Sequence, residues 1–184
     1  MVTKQLVTIS KFLSKHLRHD PAALGLTLAE GGWVPVQALL AACAKHGFPI
    51  SREQLDEVVR SSDKQRFAFD ASGERIRANQ GHSTPVNLQL EPVEPPAILY
   101  HGSTTKNEAA ILGFGLARMK RHHVHLSPDI PTALKVGSRH GKPVLFAIDA
   151  AAMHAAGHVF YCSANGVWLT DEVPPQFLRV VEEP

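Results

Sequence analysis

The segment KQRFAFDASGERIRA, residues 64–78, has the pattern of a β-hairpin. Apolar and polar residues alternate in KQRFAFD and again in ERIRA, and the triplet Ala71-Ser72-Gly73 separates the two stretches. Alternation with a period of two is typical of half-buried strands, and a short Gly-containing break between two such runs favours an antiparallel pair. A hairpin is therefore predicted here, and the elements before and after it can be placed around it.

Three amphipathic helices are predicted before the hairpin, over residues 4–18, 36–47 and 53–62. The first ends before Asp20-Pro21, because a proline disfavours helical backbone in the residue that precedes it. Gly47 closes the second helix, and Ser51 with Gln54 has the form of a capping box that opens the third. Three helices followed by a hairpin is the order of a winged helix, a module that commonly binds nucleic acid and also serves protein contacts.

The chain changes character at STPVNLQLEPVEPP, residues 83–96, which holds four prolines and has no helical periodicity. We place a domain boundary in this segment and expect two lobes, 1–90 and 91–184. Short strands with short helices between them are predicted for the second lobe. This pattern is typical of a mixed α+β lobe with a sheet core and differs from the regular βαβ alternation of a Rossmann fold. Neither GxGxxG nor GxxxxGK[ST] occurs, so neither common phosphate-binding loop is available.

The composition is that of an ordinary globular protein, with 44% hydrophobic and 20% charged residues. Residues 1–90 contain 11 Lys and Arg against 8 Asp and Glu, whereas residues 91–184 contain 8 against 9. Positive charge is therefore concentrated in the first lobe. The net charge of +2 is too small to indicate nucleic-acid binding by itself, so any partner has to be argued from the placement of residues.

The location of the protein is predicted from its apolar segments and cysteines. No run of 18 apolar residues occurs, and the N-terminus lacks the apolar block and cleavage site of a signal peptide. Cys43 and Cys162 are far apart in sequence and fit the free thiols of a reducing compartment better than a disulfide framework. We therefore expect a cytoplasmic protein and, since no long apolar helix requires a partner, a monomer.

Cations with hydrogen-bonding neighbours occur at three separate places: Arg18-His19, Lys64-Gln65-Arg66, and Arg121 in MKRHHVHLS (119–127). Each has an ordinary explanation, because cations are favoured at a helix C-terminus and are common on edge strands. Arg18, Arg66 and Arg121 together are also a set of residues suited to bind one phosphate from several sides. The residues alone leave both interpretations open.

Three histidines in MKRHHVHLS raise the alternative of a metal site. In a strand, His123 and His125 project to one face and His122 to the other, so at most two of them can share an ion. A third ligand would have to come from elsewhere, and no HExxH motif or paired carboxylate offers one. We therefore expect no metal, and a solvated strand edge remains the simpler alternative to a phosphate site.

The segment YHGS (100–103) ends an apolar strand and leads into a predicted helix. Gly102 allows a ligand to approach the main chain closely, and the N-terminus of the following helix offers unpaired N–H groups. An ordinary strand-to-helix turn has the same pattern. After the hairpin, RANQGH (77–82) carries side chains suited to phosphate or sugar contact, although loops are commonly this polar.

Taken in order, these segments resemble the RNA 2'-phosphotransferase family, enzymes that remove an internal 2'-phosphate from RNA with NAD. The resemblance covers nearly the whole chain and rests on SKFLSKHLRHDP, GWVPVQALL, DKQRFAF, IRANQGHS, YHGS, MKRHHVHLS, GSRHGKPVLF, NGVWLTDEVPP and the final strand. It implies an α+β protein with an N-terminal winged-helix lobe and a C-terminal ADP-ribosyltransferase-like lobe built on a mixed β-sheet.

The resemblance also implies which residues form the site. The family's catalytic Arg-His-Arg-Arg group corresponds to Arg18, His19, Arg66 and Arg121. The implied NAD-binding residues are His101, Gly102, Ser103, His125, Ser127 and Arg139, with Val167 as an apolar neighbour. The implied RNA and phosphate contacts are Lys64, Gln65, Arg77, Gln80 and His82. No metal is required. Ser103 stands where the family usually has threonine, and both residues carry a hydroxyl.

The family's reaction has two steps. The 2'-phosphate attacks C1'' of the nicotinamide riboside and expels nicotinamide, which leaves an ADP-ribosylated phosphate; the ribose 2''-hydroxyl then attacks the phosphorus. The products are 2'-hydroxyl RNA and ADP-ribose 1'',2''-cyclic phosphate, so NAD is consumed as a cosubstrate. The implied partner is 2'-phosphorylated RNA, with tRNA from splicing as a candidate.

Two rival functions stay open from the sequence. An enzyme of the same fold can stop after the first step and leave ADP-ribose on a terminal phosphate of DNA or RNA. Alternatively, a winged-helix regulator can bind nucleic acid and only sense NAD. The final product distinguishes the first rival, because a stable adduct favours transfer and a cyclic phosphate favours phosphate removal. Release of nicotinamide distinguishes the second rival, because a regulator that only senses NAD releases none.

Overall fold

A computed structural model of the chain describes residues 4–62 and 64–181. The chain divides into two compact units, Met1–Gln89 and Leu90–Pro184. This division falls inside the proline-rich segment from which the domain boundary was predicted. Within the described ranges, every helix is too short or too polar to cross a membrane.

In its described part, the first unit combines three α-helices with a three-stranded antiparallel sheet. The helices are α1 (Lys4–Arg18), α2 (Val36–Lys45) and α3 (Arg52–Ser61). The strands are β1 (Val34–Pro35), β2 (Phe67–Phe69) and β3 (Arg75–Ala78), in the spatial order β1-β3-β2. The three predicted helices and the hairpin are confirmed. Strand β1 was not predicted, because two residues are too few to give an alternating pattern.

Local signals account for where the helices begin and end. Gly47, with φ of +75°, follows α2, and its N–H donates to the carbonyl of Ala44 at 3.1 Å. At the start of α3 the Ser51 hydroxyl accepts from the Gln54 N–H, and the Gln54 side chain accepts from the Ser51 N–H. The capping box and the glycine stop predicted from the sequence are therefore confirmed.

One hydrophobic core joins the helices of the first unit to its sheet. The apolar face of α1 contributes Leu13 and Leu17, which are completely buried against residues of α2, α3 and the hairpin. On the sheet side the core includes Phe67 and Ile76. Because the apolar side chains of α1 lie on one face, its three lysines, Lys4, Lys11 and Lys15, remain exposed.

The segment after the hairpin packs on the first unit although its prolines suggested a linker. The N–H groups of Ser83 and Thr84 both donate to the carbonyl of Arg18, at 2.9 and 3.2 Å. Leu88 is buried, and the carbonyl of Asn87 accepts from the N–H of Gly31. Prolines exclude regular secondary structure from this segment, but they do not prevent it from packing.

The described residues of the second unit form short strands in antiparallel sheets, with three α-helices between them. The strands are β4 (Ile98–Thr104), β5 (Leu116–Ala117), β6 (Val124–Leu126), β7 (Pro143–Asp149), β8 (Phe160–Cys162), β9 (Trp168–Thr170), β10 (Glu172–Val173) and β11 (Leu178–Val180). The helices are α4 (Thr105–Phe114), α5 (Ile130–Gly137) and α6 (Ala150–Ala155). The mixed α+β class is therefore confirmed for the chain.

Two sheets position the predicted site residues of this unit. One has the order β11-β7-β4 and the other β6-β9-β8. Tyr100 of β4 and Ser127, just after β6, exchange two main-chain hydrogen bonds of 2.8 Å, and this bridge connects the two sheets. The core beneath them includes Leu99, Leu126 and Phe146, each at most 1% exposed.

Candidate active site

Arg18 and His19 lie at the C-terminal end of α1, and the chain segment after the hairpin fixes them there. Besides the two bonds from Ser83 and Thr84 to the Arg18 carbonyl, the Ser83 hydroxyl lies 2.9 Å from Nδ1 of His19. Gly81, with φ of +88°, lies beside the Arg18 guanidinium, since a Cβ at this position would be 3.7 Å from its Nη1. A turn far along the chain thus sets the position of both side chains.

Arg66 is held by the loop that connects α3 to β2. Its Nη1 donates to the Ser62 hydroxyl at 3.4 Å. The preceding residue, Gln65, has φ of +39°, a conformation that a residue with a side chain rarely adopts. Two contacts from Asn79 hold this turn: its main-chain N–H donates to the carbonyl of Arg66, and its Nδ2 donates to the carbonyl of Gln65.

Asn79 is the residue of this loop that sequence reasoning missed. It was included only in a polar segment suited to phosphate contact, but its side chain is 5% exposed and bonds the main chain instead. Its Oδ1 is buried without a hydrogen-bond partner among the described residues. An asparagine directly after a strand that pairs with the loop was the available signal, because such a position often caps a turn.

The three predicted catalytic residues of the first unit line one cleft between α1 and α3. Its volume is about 670 Å³, and Arg18, His19 and Arg66 all contribute to its wall. Lys11 and Lys15 of α1 extend the positive charge along the same cleft. None of the described residues that line it carries a carboxylate. The cleft is therefore suited to an anion, and side-chain cations supply the attraction because a helix C-terminus by itself repels one.

Arg77 lies on the other face of the hairpin from this cleft. Side chains of β3 alternate, so Ile76 and Ala78 enter the core while Arg77 points away from it. Its guanidinium lies 4.6 Å from the centre of the Trp33 ring, and its Nη1 donates to the carbonyl of Gly31 at 3.3 Å. Burial lowers the pKa of Arg77. The structure thus separates Arg77 from the three cleft residues and gives it a packing role.

The other predicted RNA contacts of the first unit are unequally accessible. Gln65 is exposed, and Lys64 and Gln80 are half-buried. His82 is 1% exposed and lies close to Gly32, where a Cβ would be 3.5 Å from its Nε2. Such burial disfavours direct contact between His82 and RNA.

In the second unit the structure brings His101 and His125 together. Nδ1 of His101 lies 3.0 Å from the carbonyl oxygen of His125, and because a carbonyl only accepts, Nδ1 is the protonated nitrogen. Burial lowers the pKa of His101; the bond to His125 acts in the opposite direction, and the charge of Arg121 lowers the pKa further. His101 is therefore neutral near pH 7, with Nε2 as its acceptor nitrogen.

Arg121 is an exposed neighbour of this histidine pair. Its Nη1 donates to Nδ1 of His125 at 3.5 Å, which leaves the proton of the neutral His125 ring on Nε2. Ser127 follows β6 and pairs with Tyr100, the residue before His101. Four residues predicted to act with the phosphate or with NAD, namely His101, Arg121, His125 and Ser127, thus lie along the same strand junction.

Gly102 and Ser103 continue β4 past His101 and lie against α5. A Cβ on Gly102 would be 1.8 Å from the carbonyl oxygen of Ala133, so the absence of a side chain there is required for packing. This requirement is an alternative reason for the glycine in YHGS, and the predicted contact of Gly102 with NAD stays a prediction. The Ser103 hydroxyl accepts from Nδ2 of Asn107 at 3.2 Å.

Arg139 and Val167, the other residues assigned to the NAD site, lie on two further segments of the second unit. Arg139 is exposed on the short 3-10 helix Ser138–His140 that follows α5. Val167 lies just before β9, and its N–H and carbonyl are both bonded to Ser163.

In the described part of the chain, no group of three or more His, Cys, Asp or Glu is placed to hold an ion, and the prediction that no metal is required stays a prediction. His123 lies against a different partner, since its ring centre is 5.4 Å from that of Tyr161. Burial lowers the pKa of His123, and the negative charge of Asp171 acts in the opposite direction.

Comparison with known proteins gives a consistent result over nearly the full length. The family model for "RNA 2'-phosphotransferase, Tpt1 / KptA family" matches residues 4–172. A probable RNA 2'-phosphotransferase of Nostoc punctiforme is 62% identical over 181 residues, which are 98% of this chain and 100% of that protein. Proteins of the same name from Streptomyces griseus and Pseudomonas paraeruginosa are 56% and 51% identical, over 97% of this chain and 98% and 99% of their own lengths.

Proposed function

The chain belongs to the RNA 2'-phosphotransferase family, and on this premise we propose that it removes an internal 2'-phosphate from RNA by transferring it to NAD. The observation that carries the proposal is that Arg18, His19 and Arg66, which come from two distant segments, line one cleft whose described walls carry no carboxylate. Such a site attracts a phosphate without supplying a competing anion. We also propose the winged-helix and ADP-ribosyltransferase-like character of the two units as part of this assignment.

The first unit supplies the residues that bind the phosphate. Arg18 and Arg66 present planar, permanently charged groups that bind phosphate oxygens in pairs. His19, whose ring is held at Nδ1 by Ser83, orients the phosphate or assists proton movement. Arg18 also lies near the Phe67 ring, at 6.0 Å from its centre, so its position is supported from the hairpin side.

The second unit supplies groups suited to NAD. A neutral His101 with its Nδ1–H bonded to a carbonyl offers Nε2 as an acceptor, which suits a ribose hydroxyl. The hydroxyls of Ser103 and Ser127 add polar groups along the same strand junction. Arg121, next to His125, supplies a cation for the phosphate that NAD receives.

The first step needs no general base. A phosphate monoester carries between one and two negative charges near neutral pH, because its second pKa is about 6. It can therefore attack C1'' directly while nicotinamide leaves with the electron pair of the bond that breaks. The protein binds both reactants, and their proximity alone supplies a large part of the rate acceleration.

The second step accounts for the three arginines of the proposed catalytic group. When the ribose 2''-hydroxyl attacks the phosphorus, negative charge grows on the phosphoryl oxygens and the bond from phosphorus to the 2'-oxygen of the RNA breaks. The attacking hydroxyl gives up its proton and the leaving 2'-oxygen takes one up, so one proton is transferred overall. Arginines fixed in advance stabilise that charge more effectively than mobile ones, and losing one such donor costs about 10² to 10³ in rate in comparable sites. We assign this role to Arg18, Arg66 and Arg121.

The test is to incubate the protein with a short RNA that bears one internal 2'-phosphate, with and without NAD, and to resolve the products by mass spectrometry. We expect loss of the phosphate only with NAD, together with nicotinamide and ADP-ribose 1'',2''-cyclic phosphate. A stable ADP-ribosylated RNA as final product would assign the chain to transfer instead. Unchanged RNA and NAD from folded protein would contradict the proposal.

A further inference from the structure

The cleft of the first unit is larger than the phosphate site alone requires. Its volume of about 670 Å³ is in the range of pockets that hold whole drug-sized ligands. Its wall continues from Arg18 along α1 through Lys15 and Lys11 to Val7. At a rise of about 1.5 Å per residue, Arg18 and Lys11 are about 10 Å apart along the helix axis. The cleft therefore offers binding surface well beyond the reach of one phosphoryl group.

Lys11 and Lys15 are available to bind a ligand in this extension. Both side chains are exposed, and neither ammonium group has a hydrogen-bond or ion-pair partner among the described residues. By contrast, the exposed Arg60 on α3 is paired with Glu57. Two uncompensated cations on the side of a cleft with no described carboxylate attract an extended anion.

The extension also has polar and apolar parts. Ser10 and Ser14 of α1 line the same cleft as the lysines, and their hydroxyls are groups that donate to phosphate oxygens or bond sugar hydroxyls. Val7, which is 42% exposed, adds apolar surface. Unpaired bases can pack on apolar surface, whereas the bases of a duplex are already covered by their stack.

We propose that this cleft binds the single-stranded RNA that flanks the 2'-phosphate, with Lys11 and Lys15 contacting the phosphates of neighbouring nucleotides. The inference rests on the proposed function, because the position of the 2'-phosphate at Arg18, His19 and Arg66 sets the register of the strand. RNA that extends past the reactive nucleotide on one side, 5' or 3', should bind more tightly than RNA that ends there. Contacts of this kind carry no base preference.

The experiment compares three proteins: the wild type, the Lys11→Gln/Lys15→Gln variant, and a Lys45→Gln/Lys106→Gln control. The control removes the same charge from exposed lysines of α2 and α4 that lie outside the cleft. Glutamine keeps nearly the helix propensity of lysine, so the folds should be preserved. Fluorescence anisotropy then measures the affinity for a 2'-phosphorylated RNA with one nucleotide on either side, and for RNAs extended by four nucleotides 5' or 3'.

We expect extension on one side to tighten binding to the wild type and the control by about three- to tenfold, the range for two exposed charge contacts. In the Lys11→Gln/Lys15→Gln variant this gain should disappear. Its slope of log affinity against log salt on the extended RNA should be smaller by about 1.4, since each single-strand phosphate contact contributes about 0.7.

An extension gain that is absent from the wild type, or equal in all three proteins, would overturn the inference. Binding of an acidic peptide of equal charge as tightly as the extended RNA would assign the cleft to a protein partner and would overturn it too. The proposed function is tested separately, by measuring NAD-dependent release of phosphate from the short RNA by the wild type. If the wild type fails to release phosphate but still shows an extension gain that depends on the two lysines, the proposed enzymatic activity is contradicted and the inference that the cleft binds RNA stands.

Discussion

Each predicted catalytic side chain of the first unit lies beside an uncharged neighbour. Ser83 bonds the ring of His19, Ser62 bonds the guanidinium of Arg66, and Gly81 leaves room beside Arg18. A carboxylate in any of these places would fix a cation more strongly, but it would also neutralise the charge that the phosphate requires. The hydroxyl beside Arg66 and the glycine beside Arg18 leave the positive charge of both arginines in place.

Asn79 is expected to act as a positioning residue for Arg66. In the Asn79→Ala variant the Gln65 carbonyl loses its donor, and the strained turn before Arg66 is released. Because a small misplacement of a catalytic group can cost about 100-fold, kcat should fall by roughly 10- to 100-fold. Since the residues assigned to NAD lie in the other unit, KM for NAD should stay the same. Steady-state kinetics with varied NAD measure both constants.

Asn87→Ala is the matched control, because Asn87 is an exposed asparagine of the same unit whose side chain bonds, among the described residues, the nearby Gln89 N–H alone. It should leave kcat unchanged. Equal changes of kcat and KM in the Asn79→Ala variant, or a loss that merely follows the fraction of unfolded protein, would refute the positioning role.

His101 predicts a dependence of stability on pH. Burial holds the pKa of folded His101 below its ordinary value of 6.5, so the unfolded chain binds more protons than the folded one just below that pH. The free energy of unfolding should therefore fall as the pH decreases through about 6.5. His101→Asn removes the titrating ring, and its Nδ2 can still donate to the His125 carbonyl. Denaturant unfolding between pH 7.5 and 5 should show a smaller slope for this variant.

In His101→Asn the dependence of the unfolding free energy on pH should become weaker but should not vanish. Burial also lowers the pKa of His123, so His123 contributes to this pH dependence with the same sign. Arg121 adds to the effect at His101 and keeps its charge over this range. An unfolding free energy with the same pH dependence in the wild type and in His101→Asn would show that folded His101 titrates as it does in the unfolded chain.

Among the elements, the junction of β4 and α5 depends on a close approach between their main chains. Gly102 of β4 and Gly137 of α5 face each other, and a Cβ on Gly137 would lie 2.6 Å from the carbonyl oxygen of Ser103. Two glycines allow the helix to approach the strand that carries His101. The site residues of β4 therefore depend on packing between elements that are distant in sequence.

Gly102→Ala should destabilise the protein strongly. The new methyl group would overlap the Ala133 carbonyl, which belongs to helix main chain and cannot move alone. We expect a loss of about 3 kcal/mol or more and a melting temperature lower by roughly 6 to 12 °C. Thermal unfolding followed by circular dichroism measures the shift.

Gly113→Ala provides the control, because Gly113 lies in α4 with no atom within 4 Å of a Cβ built there. Alanine is better than glycine in a helix by about 0.5 to 1 kcal/mol, so this variant should melt at the same or a slightly higher temperature. Similar melting temperatures for Gly102→Ala and the wild type would mean that α5 can shift away from β4 at little cost.

At the scale of the whole molecule, each unit carries part of the predicted catalytic group. Arg18, His19 and Arg66 belong to the first unit and Arg121 to the second. The first unit offers a cationic cleft, and the second offers a neutral histidine with hydroxyl groups nearby. This difference in chemistry matches two reactants, an RNA phosphate and a nucleotide cosubstrate.

Arg121→Ala is expected to separate the two steps of the reaction. In the proposed reaction the first step joins a phosphate to C1'' and needs no further cation, whereas the second develops the charge whose stabilisation we assign to Arg121. RNA carrying ADP-ribose on its 2'-phosphate should therefore accumulate, with the second step slowed by about 10² to 10³. Rapid quenching followed by mass spectrometry detects the adduct.

Arg118→Ala is the comparison variant, since Arg118 is an exposed arginine of the same loop whose main-chain carbonyl, not its side chain, bonds Arg121. It should give products without accumulation of the adduct. Loss of nicotinamide release in Arg121→Ala would instead place this residue in the first step.

The sequence by itself determined the local elements and the order of chemical groups. The start of α3 at Ser51, the end of α2 before Gly47 and the hairpin over 64–78 follow from contacts between near neighbours, so short-range patterns were sufficient to predict them. The RNA 2'-phosphotransferase family was likewise evident from the ordered motifs, and the family model agrees with it.

Only the tertiary structure decided which side chains share a surface. It joined Ser83 to His19, turned Asn79 to the main chain, placed Arg77 over Trp33 away from the cleft, and buried His82. A polar residue in a loop has the same short-range pattern whether it faces solvent, a ligand or the main chain of another segment. The choice depends on long-range packing, which buries one polar group and leaves another accessible, and sequence spacing does not encode it.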